Sequence, residues 1–256
     1  MEVPESFYKY RNAEGDSAEF LRKTLTNNEL YFPAPYSFND PFDCHPYFSF
    51  EGDKAAIIKS YKKLYKKYDP SLPRAQRRIQ AKEAAKSLLS KSDHTGAQER
   101  TRDYYFNRVQ RGIGVFCVTT IPDNILMWSH YANNHKGVCL EFCGLNDFFA
   151  NAQKVIYQET RPVISAFSGA SNLENADSAL LTKSNTWSYE QEWRIIMYSA
   201  GPGIYNFPGH ILKRVIIGAN ASKETIELVE ECIGSREIKP KISHAKVDPI
   251  HYRINT

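Results

Sequence analysis

Aromatic and polar positions alternate in "SFYKYRN", and a period of two predicts a strand over Phe7–Arg11 with side chains on opposite faces. The period then changes in "DSAEFLRKTLTNN". Asp16 stands three residues before Glu19 as in a capping box, and Phe20, Leu21 and Leu25 share one helical face, which predicts a short helix. "ELYFPAPYSFNDPFDC" gives a brief strand broken at Pro33 and Pro35, with Asn39, Asp40 and Pro41 as turn residues. From about 53 to 111 the pattern is helical, and Ile57, Tyr61, Leu64, Tyr65 and Tyr68 lie opposite a face of lysines. "GIGVFCVTT" predicts a buried strand, and "DNILMWSHYANN" a helix capped by Asp123 or Asn124. In "GVCLEFC", Val138, Leu140 and Phe142 alternate with Cys139, Glu141 and Cys143, which predicts a strand with two distinct faces. A short strand around Lys154–Tyr157, a loop and helix from 161 to 186, and strands in "EWRIIMYS" and "KRVIIGAN" come next. An amphipathic helix in "ASKETIELVEECIG" and closing strands in "REIKPKIS" and "PIHYRIN" complete the series. Strands separated by helices of irregular length predict an α+β fold, taken as one domain over 1–256 with a helical insertion at about 53–111.

Charge changes the picture of that insertion. The net charge of +4 hides 16 Lys and Arg against 5 Asp and Glu between Lys54 and Arg111, a local +11, while the remainder carries −7. A solvated helix surface is one outcome. Interleaved with Tyr61, Tyr65, Tyr68, Tyr104 and Tyr105, the block also suits a phosphate backbone with bases to stack, and Lys62, Lys63, Lys66, Lys67, Arg77 and Arg78 are the expected contacts to RNA or DNA. A hydrophobic content of 42% in 256 residues supports a sizeable core. The opening residues lack an apolar leader, and no stretch approaches the roughly 18 apolar residues of a membrane helix, so a soluble, cytoplasmic protein without a membrane partner is expected. Five cysteines without a CxxC pair fit a reducing compartment, and Cys139 and Cys143 find no complementary pair for zinc.

The chemistry centres on "SYEQEWRI". On a strand, Glu190 and Glu192 would emerge side by side with Arg194 next in line. Either Arg194 neutralises a surface ladder, or the two carboxylates stabilise a cationic transition state, as paired acids do in glycosyl transfer. Thr119 and Thr120 end a strand as turn residues or as pocket hydroxyls, and Arg11 is either a surface charge or a fork for phosphate or ribose. His130 sits at the border of an apolar and a polar helix face, as a satisfied structural residue or a pocket residue. Trp128 and Tyr131 either pack in the core or stack on a nicotinamide or adenine ring, and His135 caps the helix end. In "FNDPFDCH", Asn39, Asp40, Asp43 and His45 have metal-ligand chemistry, but Asp40 before Pro41 is more simply a turn residue, and no metal is expected. "VIIGANAS" ends a strand at Gly218 and opens a helix near Ala221, where an anion can dock.

Two resemblances follow from these stretches. "FYKYR", "LYFPAPYSFNDPFDC", "VFCVTT", "LMWSHYANNHKGVCLEF" and "YEQEWRI" together are similar to a bacterial family of unknown function built on an FNDPFD, MWSHYA and EWR pattern. That resemblance implies a setting of mobile elements and defence loci, and no reaction. More distantly, an Arg-ended first strand, a hydroxyl-ended strand before a helix and a later ExE resemble the ADP-ribosyltransferases, although "VTT" departs from that family's Ser-Thr-Ser. This second resemblance implies split mixed β-sheets with NAD as substrate between them. It assigns Arg11 to the dinucleotide, Thr119 or Thr120 to the nicotinamide-ribose pocket, Glu192 to the ribose and its oxocarbenium, and Glu190 to the acceptor. A toxin or phage-defence effector modifying nucleic acid or an associated protein, held silent by an antitoxin or chaperone, would fit. The alternatives are a nuclease using Asp40, Asp43, His130 and Glu192, and a non-enzymatic binding module acting through Lys62, Lys63, Lys66 and Lys67.

Overall fold

A computed structural model describes residues 2–49, 52–90, 99, 102–103, 105–165 and 177–256. The expectations that rest on Tyr104 and on residues 91–98 and 166–176 lie outside the described residues. In chain order the strands are β1 (Ser6–Arg11), β2 (Glu29–Phe32), β3 (Tyr47–Ser49), β4 (Gly114–Thr119) and β5 (Val138–Cys143). Then come β6 (Gln153–Lys154), β7 (Ile156–Gln158), β8 (Val163–Ser165), β9 (Thr182–Ser184) and β10 (Glu192–Met197). The last five are β11 (Gly203–Asn206), β12 (Leu212–Ile217), β13 (Lys241–His244), β14 (Lys246–Val247) and β15 (Ile254–Asn255). With the helices between them, the architecture is α+β.

Seven strands form the main sheet in the order β13-β12-β5-β1-β4-β10-β6. β1 pairs antiparallel with β5 along its whole length, from Ser6 opposite Cys143 to Arg11 opposite Val138. β5 pairs antiparallel with β12, which pairs parallel with β13. On the other side β4 pairs with β10 from Thr119–Glu192 to Gly114–Met197. Between these halves, β1 and β4 share only the register pair Tyr8–Thr119. The sheet is therefore parted at its centre. Along that seam the facing edges of β1 and β4 lack a continuous ladder, so polar backbone borders an opening.

The alternation read from the sequence explains the two layers. From β1 and β5, Phe7, Leu140 and Phe142 enter the larger core with Phe116, Trp193 and Phe149, while Tyr10 and Cys139 face the opposite side with Met127, Trp128 and Ile216. Phe7 packs on Phe149 and Trp193 at ring separations of 5.0 and 5.6 Å. Helices Asp16–Asn27 and Lys223–Gly234 cover the larger core through Leu21, Leu25, Val229 and Cys232. Helix Ile125–Tyr131 covers the other face. Its N-cap is Asn124, whose Oδ1 accepts from the backbone N–H of Leu126 and Met127. After it Asn133, Asn134 and His135 adopt φ of 47°, 55° and 67°, and the His135 N–H caps the helix by donating to the Trp128 carbonyl. Gly137 closes the reversal into β5, because a Cβ there would stand 2.1 Å from the Arg11 carbonyl oxygen.

Several expectations are corrected. Gly15, not Asp16, is the N-cap of the first helix, with φ 59° and no side-chain cap; Asp16 lies inside the first turn, where its charge still complements the helix dipole. Phe20 is 58% exposed, since the apolar stripe of that helix narrows to Leu21 and Leu25. In helix Lys54–Tyr68 only Ile57 of the five apolar-face residues is buried, while Leu64 and Tyr68 are exposed. This helix meets helix Arg74–Ser90 through a small cluster of Ile57, Ala85 and Leu88, so a narrow stripe suffices. Tyr105 is buried and donates its hydroxyl to the Cys44 carbonyl, which removes it from base stacking. Within 161–186 the described residues include strands β8 and β9, paired in parallel with β3 and β7, where loop and helix were expected. Among the described residues no helix is long and apolar enough to cross a membrane.

Phe142 is fully buried and packs on Phe149 and Phe207 at 5.7 and 5.3 Å. Phe142→Ala is expected to destabilise the protein by about 3–5 kcal/mol, read as a lower urea midpoint at unchanged denaturant slope.

Candidate active site

A cavity of about 350 Å³ opens at the seam. Its walls come from Tyr8, Lys9 and Tyr10 of β1, Cys117 and Thr119 of β4, and His130 and Tyr131 of the short helix; Asp43, Lys183, Glu190 and Glu192 line its charged side. That volume lies at the low end for small-molecule sites, the scale of a nucleoside rather than a whole dinucleotide.

The two glutamates converge by a different route from the one the spacing implied. Glu190 ends a 3₁₀ turn, Asn185–Glu190; Gln191 turns the chain with φ 44°; Glu192 begins β10. They do not share a strand face. They share a cation: Lys183 Nζ lies 2.5 Å from Glu190 Oε2 and 3.0 Å from Glu192 Oε2, with Asp43 Oδ2 at 3.6 Å. Lys183 is placed by the β7–β9 pairing, opposite Tyr157, whose hydroxyl oxygen accepts the Glu192 N–H at 2.8 Å.

Arg194 closes the network and is fully buried. Its Nε donates to Glu192 Oε1 at 2.7 Å and its Nη2 to Asp43 Oδ2 at 2.8 Å, while Nη1 donates to the Leu180 carbonyl at 2.6 Å and contacts Cys44 Sγ at 3.1 Å. Burial opposes ionisation of all these groups, so the paired charges decide the outcome. For Glu192, burial is outweighed by Arg194 and then Lys183, which hold its carboxyl well below the usual range. For Lys183, burial is outweighed by Glu192, Asp43 and Glu190, and its ammonium is held above the ordinary lysine value. Glu190 differs. Burial raises its pKa, Lys183 offsets this in part, and neighbouring Glu192 pushes it up again. Its Oε1 accepts from the Tyr131 hydroxyl at 2.6 Å.

The sequence-derived candidates therefore separate. Glu190, Glu192, Thr119, His130 and Tyr131 meet in the cavity. Thr119 is committed to structure there, since its hydroxyl donates to the Glu190 carbonyl and accepts the Ile121 N–H. Thr120 reaches Gln191 Oε1 at 3.2 Å, and Trp128 is fully buried with its Nε1 donating to the Pro122 carbonyl. Neither is among the residues that line the cavity. Arg11 lines a second cavity of about 430 Å³, which shares Lys9, Tyr10 and Tyr131 with the first. No acidic partner among the described residues pairs with Arg11, and burial lowers its pKa. Asp40 is the expected turn residue, accepting the Phe42 N–H at 2.8 Å. Asp43 has both oxygens on Arg194 Nη2. Lys62, Lys63, Lys66, Lys67 and Arg78 are exposed and Arg77 is half-buried, all on the two basic helices and none in either cavity. Lys183 and Lys9 were missed: a lone lysine in "LLTKS" gives no signal, while "YKYR" does put Lys9 and Arg11 on one strand face.

A family described as a protein of unknown function (DUF2971) matches residues 127–195, a span that holds His130, Tyr131, Lys183, Glu190, Glu192 and Arg194. No curated protein and no solved structure matches the chain.

Removing Arg194 leaves Asp43 and Glu192 buried beside one lysine, so Arg194→Met is expected to cost about 3–5 kcal/mol in a urea titration. The pH dependence has a definite sign. Because Glu192 has a depressed folded-state pKa, its stabilisation is complete above its ordinary value of 4.5 and disappears as pH falls below it. Glu192→Gln should lower stability at neutral pH and flatten this acid limb when urea midpoints are compared across pH.

Proposed function

We propose that the chain transfers ADP-ribose from NAD to an acceptor, using the parted sheet as its substrate cleft. The observation that carries this reading is a buried carboxylate pair in one cavity whose wall is shared with a second cavity lined by an unpaired arginine. The nicotinamide-ribose end occupies the smaller cavity. The diphosphate reaches Arg11, which offers a forked donor that pairs with no acid among the described residues, although Glu29 lines the same cavity. Phe20 and Tyr31, both exposed on the rim of the second cavity, supply faces for the adenine.

The chemistry of the site assigns the glutamates in reverse of the family pattern. Loss of nicotinamide leaves positive charge on the ribose, and the group that meets it needs unneutralised negative charge. Glu192 is held by two cations, Arg194 and Lys183. Glu190 shares only Lys183 and the Tyr131 hydroxyl, and its raised pKa falls again when a cation forms beside it. Glu190 is thus the carboxylate that stabilises the oxocarbenium, and Glu192 with Arg194 fixes Lys183 beneath it. The basic helices hold a nucleic acid, or a protein bound to one, as acceptor. A toxin or defence effector restrained by an antitoxin or chaperone is the setting that suits such an activity.

Incubation with labelled NAD and a cell lysate tests this directly. Wild type is expected to transfer label, and Glu190→Gln to lose about 100-fold or more of the rate while remaining folded by circular dichroism at the assay temperature. If NAD is not consumed, or Glu190→Gln is as active as wild type, the assignment fails. Salt-sensitive nucleic-acid binding lost on charge reversal of Lys62, Lys63, Lys66 and Lys67 would then favour a binding module.

A further inference from the structure

Lys9 belongs to the walls of both cavities. Its surroundings contrast with those of Lys183. Lys183 touches three carboxylates, whereas Lys9 makes no ion pair among the described residues. Its Nζ donates to the Cys117 carbonyl at 2.7 Å and lies 5.1 Å from the centre of the Phe116 ring. The charged and titratable groups that act on it are Arg11 on its own strand, Cys117 on β4, and Glu192 and Glu190 beyond, while Asp43, Lys183 and His130 line the first cavity with it and Lys23 and Glu29 the second. Burial and then Arg11 lower its pKa more than those acidic groups raise it, leaving it at about 8. About a tenth of its amine therefore keeps a free lone pair at pH 7, far more than an ordinary lysine would. Arg11, two residues along β1, lies on the same strand face and lines the second cavity without an acidic partner.

We propose that Lys9 is a nucleophilic amine that captures the aldehyde of a phosphorylated aldose, with Arg11 holding the phosphate. The lone pair of Nζ attacks the carbonyl carbon, the C–N bond forms as the C=O π bond opens, and the oxygen takes up a proton. Nζ releases a proton, the carbinolamine loses water, and an imine remains. Amine and aldehyde thus give imine and water, with no change of oxidation state. The ligand class is an aldose in its open form carrying a phosphate or diphosphate at the far end. This inference stands on the two cavities and needs no NAD chemistry. If the transferase reading also holds, free ADP-ribose, which forms when water takes the place of the acceptor, belongs to the same class, and its capture would block the cleft.

The test uses the full chain, ribose 5-phosphate and cyanoborohydride, which reduces the imine to a stable secondary amine located by peptide mass spectrometry. Lys9 is expected to label about tenfold or more faster than exposed Lys62 and Lys66 near neutral pH. The ratio should fall once the pH passes about 8, where half of the Lys9 amine is already unprotonated and further increase in pH gains it little. Inorganic pyrophosphate should suppress the adduct, Arg11→Gln should slow it about tenfold, and ribose without phosphate should label no faster than that variant. Lys9→Arg, which keeps the charge, should carry no adduct in the cleft. Labelling spread evenly over exposed lysines, or Lys9 labelling indifferent to pyrophosphate and to Arg11→Gln, overturns the inference. Labelling of Lys9 in a protein that consumes no NAD would remove the transferase reading and leave this one standing. NAD consumption with Lys9 unlabelled would do the reverse.

Discussion

The guanidinium of Arg194 is the constraint on which the rest of the site depends. It is fully buried at the inner end of β10, and its donors reach Glu192, Asp43, the Leu180 carbonyl and the Cys44 sulfur. These partners come from separate stretches of chain, so one side chain fixes the loop after β2, the approach to β9 and the start of β10 against one another. The planar fork suits this task, because its donors point in fixed directions and can satisfy two carboxylates at once. A lysine could supply the charge but not the geometry. Such a network is poor evidence for net stability, since burying the ions is costly; its consequence is a single arrangement of the carboxylates.

Within that arrangement the three acids and Lys183 are unequal. Asp43 and Glu192 face Arg194 directly, whereas Glu190 stands on the cavity side with Lys183 and Tyr131. Two like-charged groups in one low-dielectric site push their pKa values apart, and the one further from the guanidinium is the one that rises. This is how neighbouring glutamates acquire different work. The parted sheet supplies the space: where β1 and β4 fail to pair, backbone edges, Lys9 and the charged floor surround an opening instead of a continuous ladder.

The same seam joins the two cavities. Lys9, Tyr10 and Tyr131 form the partition, so a ligand long enough to cross it meets carboxylates on one side and Arg11 on the other. The basic helices form their own small cluster through Ile57, Ala85 and Leu88. The basic residues Lys62, Lys63, Lys66, Lys67, Arg77 and Arg78 line neither cavity, and exposed charges are screened over about 10 Å at ordinary ionic strength.

Periodicity along the chain determined β1, β5 and the helix Lys223–Gly234, whose apolar positions recur on a regular face, while unbroken apolar runs determined β4 and β12, which are buried on both faces. The ExE motif and the resemblance it carries, not periodicity, put Glu190 and Glu192 forward with Tyr131 as site candidates, and the three line one cavity. Periodicity misplaced the relation between the glutamates, since the left-handed turn at Gln191 carries no glycine to announce it. It gave no hint of Lys183, whose burial is acceptable only beside Asp43, Glu190 and Glu192, residues distant in sequence or on another element. Nor did it separate Arg11, unpaired in its cavity, from Arg194, saturated in the core. Local sequence sets which side of an element a residue occupies, and that was legible. What stands opposite that side is decided by strands paired across the whole chain, and only the tertiary structure fixes which charges remain free to meet a substrate.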